Sequence, residues 1–193
     1  MFPARCIARF GGLSRYSPVG RPPLKKTLRS CNIVIWLCMG NRLIWQWRSF
    51  EDLSIDELYD ILGLRQLVFC VEQKCPYLDT DGYDRHALHL MGKNDDRRLL
   101  AYLRLIMPGR RYDEASIGRV VTHPDCRGKG FGRLLMQEGI RKAGALYPGQ
   151  SIRIAAQCYL EKFYGEFGFV PAGERFDEDG IMHVIMICGG KPA

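Results

Sequence analysis

Acidic residues are missing from the first fifty positions of this 193-residue chain, where nine Lys or Arg (Arg5, Arg9, Arg15, Arg21, Lys25, Lys26, Arg29, Arg42 and Arg48) stand against no Asp or Glu. The formal charge of +7 is therefore concentrated at one end, and residues 51–193 carry nineteen basic against twenty-one acidic side chains. Such a body lacks the clustered cations that clamp phosphate backbones, so nucleic-acid binding through it is not expected. No Cys-x-x-Cys pair occurs among the eight cysteines, which read as reduced thiols of a cytoplasmic protein rather than as a disulfide framework. Cys70 and Cys75 with His86 and His89 match none of the usual zinc spacings, and no metal is expected. The apolar stretch from Ile33 to Cys38 falls far short of the about 20 residues that a bilayer span needs. The body has no internal repeat and no low-complexity segment.

Residues 1–38 place Gly11, Gly12, Pro18, Gly20, Pro22 and Pro23 in the acid-free run and follow neither a helical nor a strand period. A disordered basic leader is expected there, followed by one domain over residues 39–193. An Arg-rich, acid-poor leader also fits an organellar transit peptide, and translation starting at Met39 would remove it altogether; both readings stay open. A secretory signal is not expected, because the basic region is too long and no clean small-residue cleavage site follows.

In the body, Ser54 and Glu57 form a capping-box pattern ahead of Leu58, Ile61, Leu62, Leu67 and Val68 at helical spacing. Residues 43–47, 87–91, 99–107, 117–122, 151–156 and 183–188 read as strands, with 87–91 and 99–107 forming a hairpin, and a second helical stripe joins Leu160, Phe163, Tyr164 and Phe167. The segment Arg127-Gly128-Lys129-Gly130-Phe131-Gly132 lies between a strand and a helix beginning near Arg133. Glycines let backbone N–H groups approach a ligand, and the helix N-terminus favours phosphate, so this is a candidate pyrophosphate cradle. A Walker loop would need Gly-Lys-Ser/Thr, and a dinucleotide fingerprint would need its third glycine three positions after the second; neither is present. A glycine-rich turn without a ligand is the plainer alternative.

These residues are similar to the GNAT N-acetyltransferase superfamily, whose coenzyme A signature of Arg or Gln, two residues, Gly, one residue, then Gly or Ala is matched from Arg127 directly after Val120-Val121-Thr122. A later motif of that superfamily resembles Phe163-Tyr164-Gly165-Glu166-Phe167-Gly168-Phe169. Leu64-Arg65, Val68 to Gln73, Cys75-Pro76-Tyr77, Asp79, Asp81-Gly82, Asp84, Ile117 to Val120, Ala156-Gln157, Glu178 to Ile181 and His183 extend the likeness to the ElaA-like branch. The branch's usual Pro is Met182 here.

The resemblance implies a mixed α/β GNAT fold with a mostly antiparallel central sheet flanked by helices, and acetyl-CoA as cosubstrate. It places Val120, Val121 and Thr122 on the pantetheine, residues 127 to 133 (Arg127, Gly128, Lys129, Gly130, Phe131, Gly132 and Arg133) on the pyrophosphate, and Gln157 against coenzyme A. It makes Tyr164 the general acid, although Tyr164 also reads as a core aromatic. A phenol of pKa about 10 can protonate a departing thiolate. For the base, Glu72 comes first, because the apolar stretch before it would desolvate it and raise its pKa; a carboxylate paired to Arg65 or Arg119 is the rival reading. His183 and Glu178 come next. Arg119, Asp79, Asp81, Glu178 and His183 are candidates for the acceptor side, the acidic loops either drawing in a cationic amine or lying solvated. The implied acceptor is a primary amine, on a small molecule or a peptide, and a homodimer is compatible with the pattern. The other reading is a coenzyme A-binding module without catalysis that regulates a protein partner.

Overall fold

The computed structural model of the protein describes residues 33–38 and 41–189. The capping box starts the first helix as expected: Ser54 accepts from the Glu57 N–H at 3.1 Å, and Glu57 reaches back to the Ser54 N–H at 3.2 Å. Helix α1, Ile55–Arg65, then widens without a break into a π-helical segment, Gln66–Glu72, continued by bonds from Gln73 N–H to Val68 and from Cys75 N–H to Cys70. The wider winding delivers Phe69 and Gln73 to one wall of the central cleft.

Eight strands form a single sheet in the order β1-β2-β3-β4-β5-β6-β8-β7. They are β1 Ile33–Cys38, β2 Asn41–Ser49, β3 Ala87–Lys93, β4 Leu99–Ile106, β5 Ala115–Thr122, β6 Ile152–Gln157, β7 Val170–Glu178 and β8 Ile181–Cys188. Every neighbouring pair is antiparallel except β5 and β6. Strand β1 lies inside the segment expected to be a disordered leader and pairs along its length with β2; the rest of that expectation, residues 1–32, falls outside the described residues. The structure also adds β7, an exposed strand at the sheet edge.

Helices cover both faces. Against one lie Ile61, Leu64 and Val68, packed with Met91, Leu99, Tyr102 and Val121. Against the other lie α2, Phe131–Leu146, and the short α3, Glu161–Gly165, which bury Phe131, Leu135, Met136, Tyr164 and Phe169 with Leu103, Ile117 and Ile154. Gly139 sets the approach of α2, since a β-carbon there would fall 2.8 Å from a Leu103 methyl. Among the described residues no helix is long and apolar enough to cross a membrane.

Candidate active site

Strands β5 and β6 pair only at Ala115 with Ile152 and Ser116 with Arg153, then part company. Beyond that vertex the edge of β5 from Ile117 onward has no partner on the β6 side, and its backbone groups need another one. The gap opens into a cavity of about 340 Å³ whose walls come from both faces of the sheet: Phe69 and Gln73 from the α1 side, Leu160 and Tyr164 from the α2 side, with Gly118, Val120 and Gln157 along the split. A bulge in β5 shapes it. Tyr102 pairs with Val121 but Arg104 with Gly118, so two residues oppose Leu103, and Arg119 takes a left-handed φ of 52°. A non-glycine residue in that region costs on the order of 1 kcal/mol, held here by the bonds its side chain makes.

The glycine loop adjoins this gap. Gly128 and Gly130 adopt φ of 75° and 80°, which only glycine reaches cheaply, and Gly130 caps the N-terminus of α2. Thr122, Arg127, Gly128, Gly130, Phe131, Gly132, Arg133 and Phe163 line one concave surface, and β-carbons at Gly128 and Gly130 would meet open space rather than protein. A recessed helix N-terminus flanked by two guanidinium groups fits a pyrophosphate.

The Acetyltransferase (GNAT) domain model matches residues 84–189. Protein ElaA of Escherichia coli is 39% identical over 145 residues, covering 74% of this chain and 94% of ElaA. The chain belongs to the GNAT family. A UPF0039 protein of Synechocystis is 46% identical over 148 residues, covering 77% of this chain and 96% of its own length. Among solved structures, an acyl-CoA N-acyltransferase from Pseudomonas aeruginosa superposes with a TM-score of 0.73 at 42% identity, and E. coli ElaA with 0.71 at 36%; each covers 76% of this chain and 99% of its own. The mixed, mostly antiparallel sheet flanked by helices is therefore the GNAT acyltransferase fold.

Within this GNAT cleft the expected residues gather unevenly. Tyr164 is buried, at 7% exposure, and lines the cavity; no described side chain hydrogen-bonds its hydroxyl. Burial pushes its pKa well above the ordinary phenol value, which keeps it a proton donor through the neutral range. Val120 lines the split, whereas the Val121 side chain points to the α1 face, leaving only its backbone for a ligand. Gln157 also lines the cavity, accepting from the Tyr159 hydroxyl at 2.5 Å and donating to Gln73 at 3.3 Å.

Glu72 is not where the sequence argument placed it. It lies on the surface, outside the cavity lining, and forms a two-pronged ion pair with Arg127 at 2.5 and 2.8 Å. That hydrogen bond lowers its pKa, the reverse of the desolvated base expected, because the π-helical segment turns its end out to solvent. The partner is Arg127, not Arg65 or Arg119. Arg133 is likewise held by Glu166, so two of the loop cations already have carboxylates that a phosphate ligand would have to displace. Glu72→Gln is accordingly expected to keep its turnover and tighten acetyl-CoA binding by up to about fivefold, as an exposed pair is worth at most about 1 kcal/mol. Calorimetry and kcat measured together check this; a hundredfold loss of kcat would return Glu72 to the base role.

Asp79, Asp81 and Asp84 also differ from expectation. They form one buried ionic cluster with Arg65, Arg104 and Arg119, three charges against three. Arg65 bonds Asp79 at 2.7 Å and Asp84 at 2.7 Å, Arg104 bonds Asp81 at 2.6 and 2.7 Å and Asp84 at 2.8 Å, and Arg119 bonds Asp79 at 2.6 Å. Charge neutralised in this way cannot draw in a cationic amine; it ties the 77–86 loop to β4 and the β5 bulge. His89 sits on the same cluster, one ring nitrogen 2.8 Å from the Tyr102 hydroxyl and the other 3.0 Å from the Asp84 carbonyl.

The end of β7 and the start of β8 supply the remaining candidates. His183 lines the cavity, and its Nδ1 lies 2.8 Å from the Ile181 carbonyl, an acceptor only; the proton of a neutral ring is therefore on Nδ1 and the Nε2 lone pair is left for a proton. Phe176 stacks on the ring, and Glu178 lies 4.0 Å from Nε2, too far for a hydrogen bond. Glu178 and Asp179 line the same wall and are exposed. Sequence reasoning passed over Tyr83, Arg111 and Tyr112, which also line the cavity. The only available signal was their aromatic and basic character in two separate loops.

Proposed function

We propose that this GNAT protein transfers the acetyl group of acetyl-CoA to a primary amine by direct attack. The observation that carries the reading is the split between β5 and β6, which joins the glycine loop on one side to a cavity lined by Tyr164, whose hydroxyl has no partner among the described residues. A linear thioester substrate could pair with the free edge of β5 near Val120 and Thr122 while Gly128 to Arg133 take its pyrophosphate. Because the cavity has walls from both faces of the sheet, an amine can reach the acetyl carbon from the side opposite the nucleotide.

In the transfer, a bond forms between the amine nitrogen and the acetyl carbon and the carbon–sulfur bond breaks. The amine's proton goes to His183 Nε2, and the departing thiolate takes the Tyr164 proton. The raised pKa of Tyr164 does not prevent this, since a thiolate released in the same dry cleft loses its own hydration and becomes more basic as well. Holding both reactants in contact supplies much of the acceleration. Glu178 and Asp179, beside His183, give the acceptor wall a negative character suited to an incoming ammonium.

Thiol release from acetyl-CoA against a panel of primary amines tests the reading. Tight acetyl-CoA binding with no release above the acceptor-free rate would instead make this a coenzyme A-binding module without catalysis. For the base, His183→Gln is expected to lower kcat by roughly a hundredfold with acetyl-CoA affinity unchanged, and added imidazole to restore part of it. Unaltered kcat in this variant would remove His183 from the mechanism.

A further inference from the structure

At the acceptor end of the cleft, one cation forms no ion pair with any described carboxylate. Asp81 and Arg119, which line the cavity, are both absorbed by the buried ionic cluster. Arg111 differs: among the described residues it has no acidic partner, and its guanidinium is held over the Tyr83 ring at 5.8 Å and the Tyr112 ring at 5.2 Å. Two aromatic contacts orient a long side chain, so less rotamer freedom is left to lose when a ligand arrives. Arg111 belongs to the connection between β4 and β5, next to the closed vertex at Ala115 and Ser116, whereas Tyr164 and Val120 lie along the split. The same cavity is also lined by Glu178 and Asp179, where β7 turns into β8. A half-buried guanidinium that is oriented but unpaired presents a fork of donors matched to a planar two-oxygen anion.

We propose that the acceptor is a primary amine that also bears a carboxylate, an amino acid or a short peptide, and that Arg111 takes the carboxylate while the amine is turned toward the thioester. The amine half rests on the acetyl-transfer reading above; the carboxylate half does not. A cavity of about 340 Å³ suits a ligand of that size.

The test measures kcat/KM for L-leucine, L-phenylalanine, β-alanine and γ-aminobutyrate, each beside its methyl ester, in the wild type and in Arg111→Gln. Esterification lowers the amine's basicity, so the acid-to-ester ratio is informative only as its change between the two proteins, which cancels that effect. The ratio is expected to fall by about tenfold or more in the variant, through KM. An unchanged ratio overturns the proposal, as does a preference for O-phosphoethanolamine over every amino acid. Calorimetry with N-acetyl-L-leucine and N-acetyl-γ-aminobutyrate gives a readout that needs no turnover. If no amine is acetylated but one of these compounds binds the wild type and not Arg111→Gln, acetyl transfer fails and the carboxylate site stands. If neither compound binds, or the variant binds equally well, the site fails.

Discussion

Tyr164→Phe is expected to lower single-turnover acetyl transfer by about a hundredfold or more while leaving acetyl-CoA affinity nearly unchanged. The variant removes one oxygen from a buried ring whose packing against Phe163 and Phe169, at centroid separations of 5.2 and 6.2 Å, stays intact. That hydroxyl has no described partner, so no buried acceptor is orphaned and the fold should hold its melting temperature. The loss should appear in kcat rather than KM, because the proton is needed only as the carbon–sulfur bond breaks. An acyl donor with a more acidic thiol leaving group should narrow the gap between variant and wild type. A Phe variant with wild-type single-turnover rate would show that the thiolate leaves unprotonated or takes its proton elsewhere.

The second large effect is on stability. Arg65 has no exposed surface and answers Asp79 and Asp84 together. Burial strips its water, yet the facing carboxylates more than offset this and raise its pKa. Arg65→Met would leave two carboxylates short of one positive charge, and breaking a buried pair in this way costs about 3–5 kcal/mol. On a chain of this size the melting temperature should fall on the order of 10 °C. Arg65→Lys should recover only part, because one ammonium cannot replace the guanidinium fork that spans both acids. A melting temperature within about 2 °C of wild type for Arg65→Met would mean that the cluster relaxes or takes up water.

The same cluster sets an acid limit. Burial alone would raise the pKa of Asp81, but the Arg104 hydrogen bonds and the charges of Arg104 and Arg119 bring it down to about 2. An unfolded Asp titrates near 3.9. The folded value is the lower one, so the unfolded chain binds more protons between these limits and stability rises with pH there. The Asp81 contribution is complete above about pH 4 and is lost as pH falls toward 2. Asp84, also lowered, adds in the same direction. Asp81→Asn should therefore flatten the acid limb of a melting curve measured against pH.

Local chemistry announced much of this architecture. The capping box of α1, the β3–β4 hairpin and the glycine loop ahead of α2 are written in adjacent residues, since a helix start and a tight turn each depend on a few neighbouring backbone groups. The aromatic motif around Tyr164 was legible for the same reason, and the structure puts that side chain in the cavity wall. Strand β7 was not: Pro171 and the left-handed Gly173 interrupt it, and as an exposed edge strand it shows no alternation of apolar residues. Strand β1 looked like a continuation of the basic leader because its pairing partner, β2, lies beyond it in the chain.

The sequence by itself determined the family, the glycine-rich loop ahead of α2 and the aromatic motif that carries Tyr164, because each is a pattern of residue types at fixed spacing. Tertiary structure alone decided which charges are spent and which are left for a substrate. Glu72 is held outside the cavity by Arg127, 55 positions on, and the loop aspartates are paired with arginines 14 to 40 positions away. His183 and Arg111 stand out only by contrast with these. Electrostatic pairing depends on distance in space and on burial, neither of which a linear spacing records.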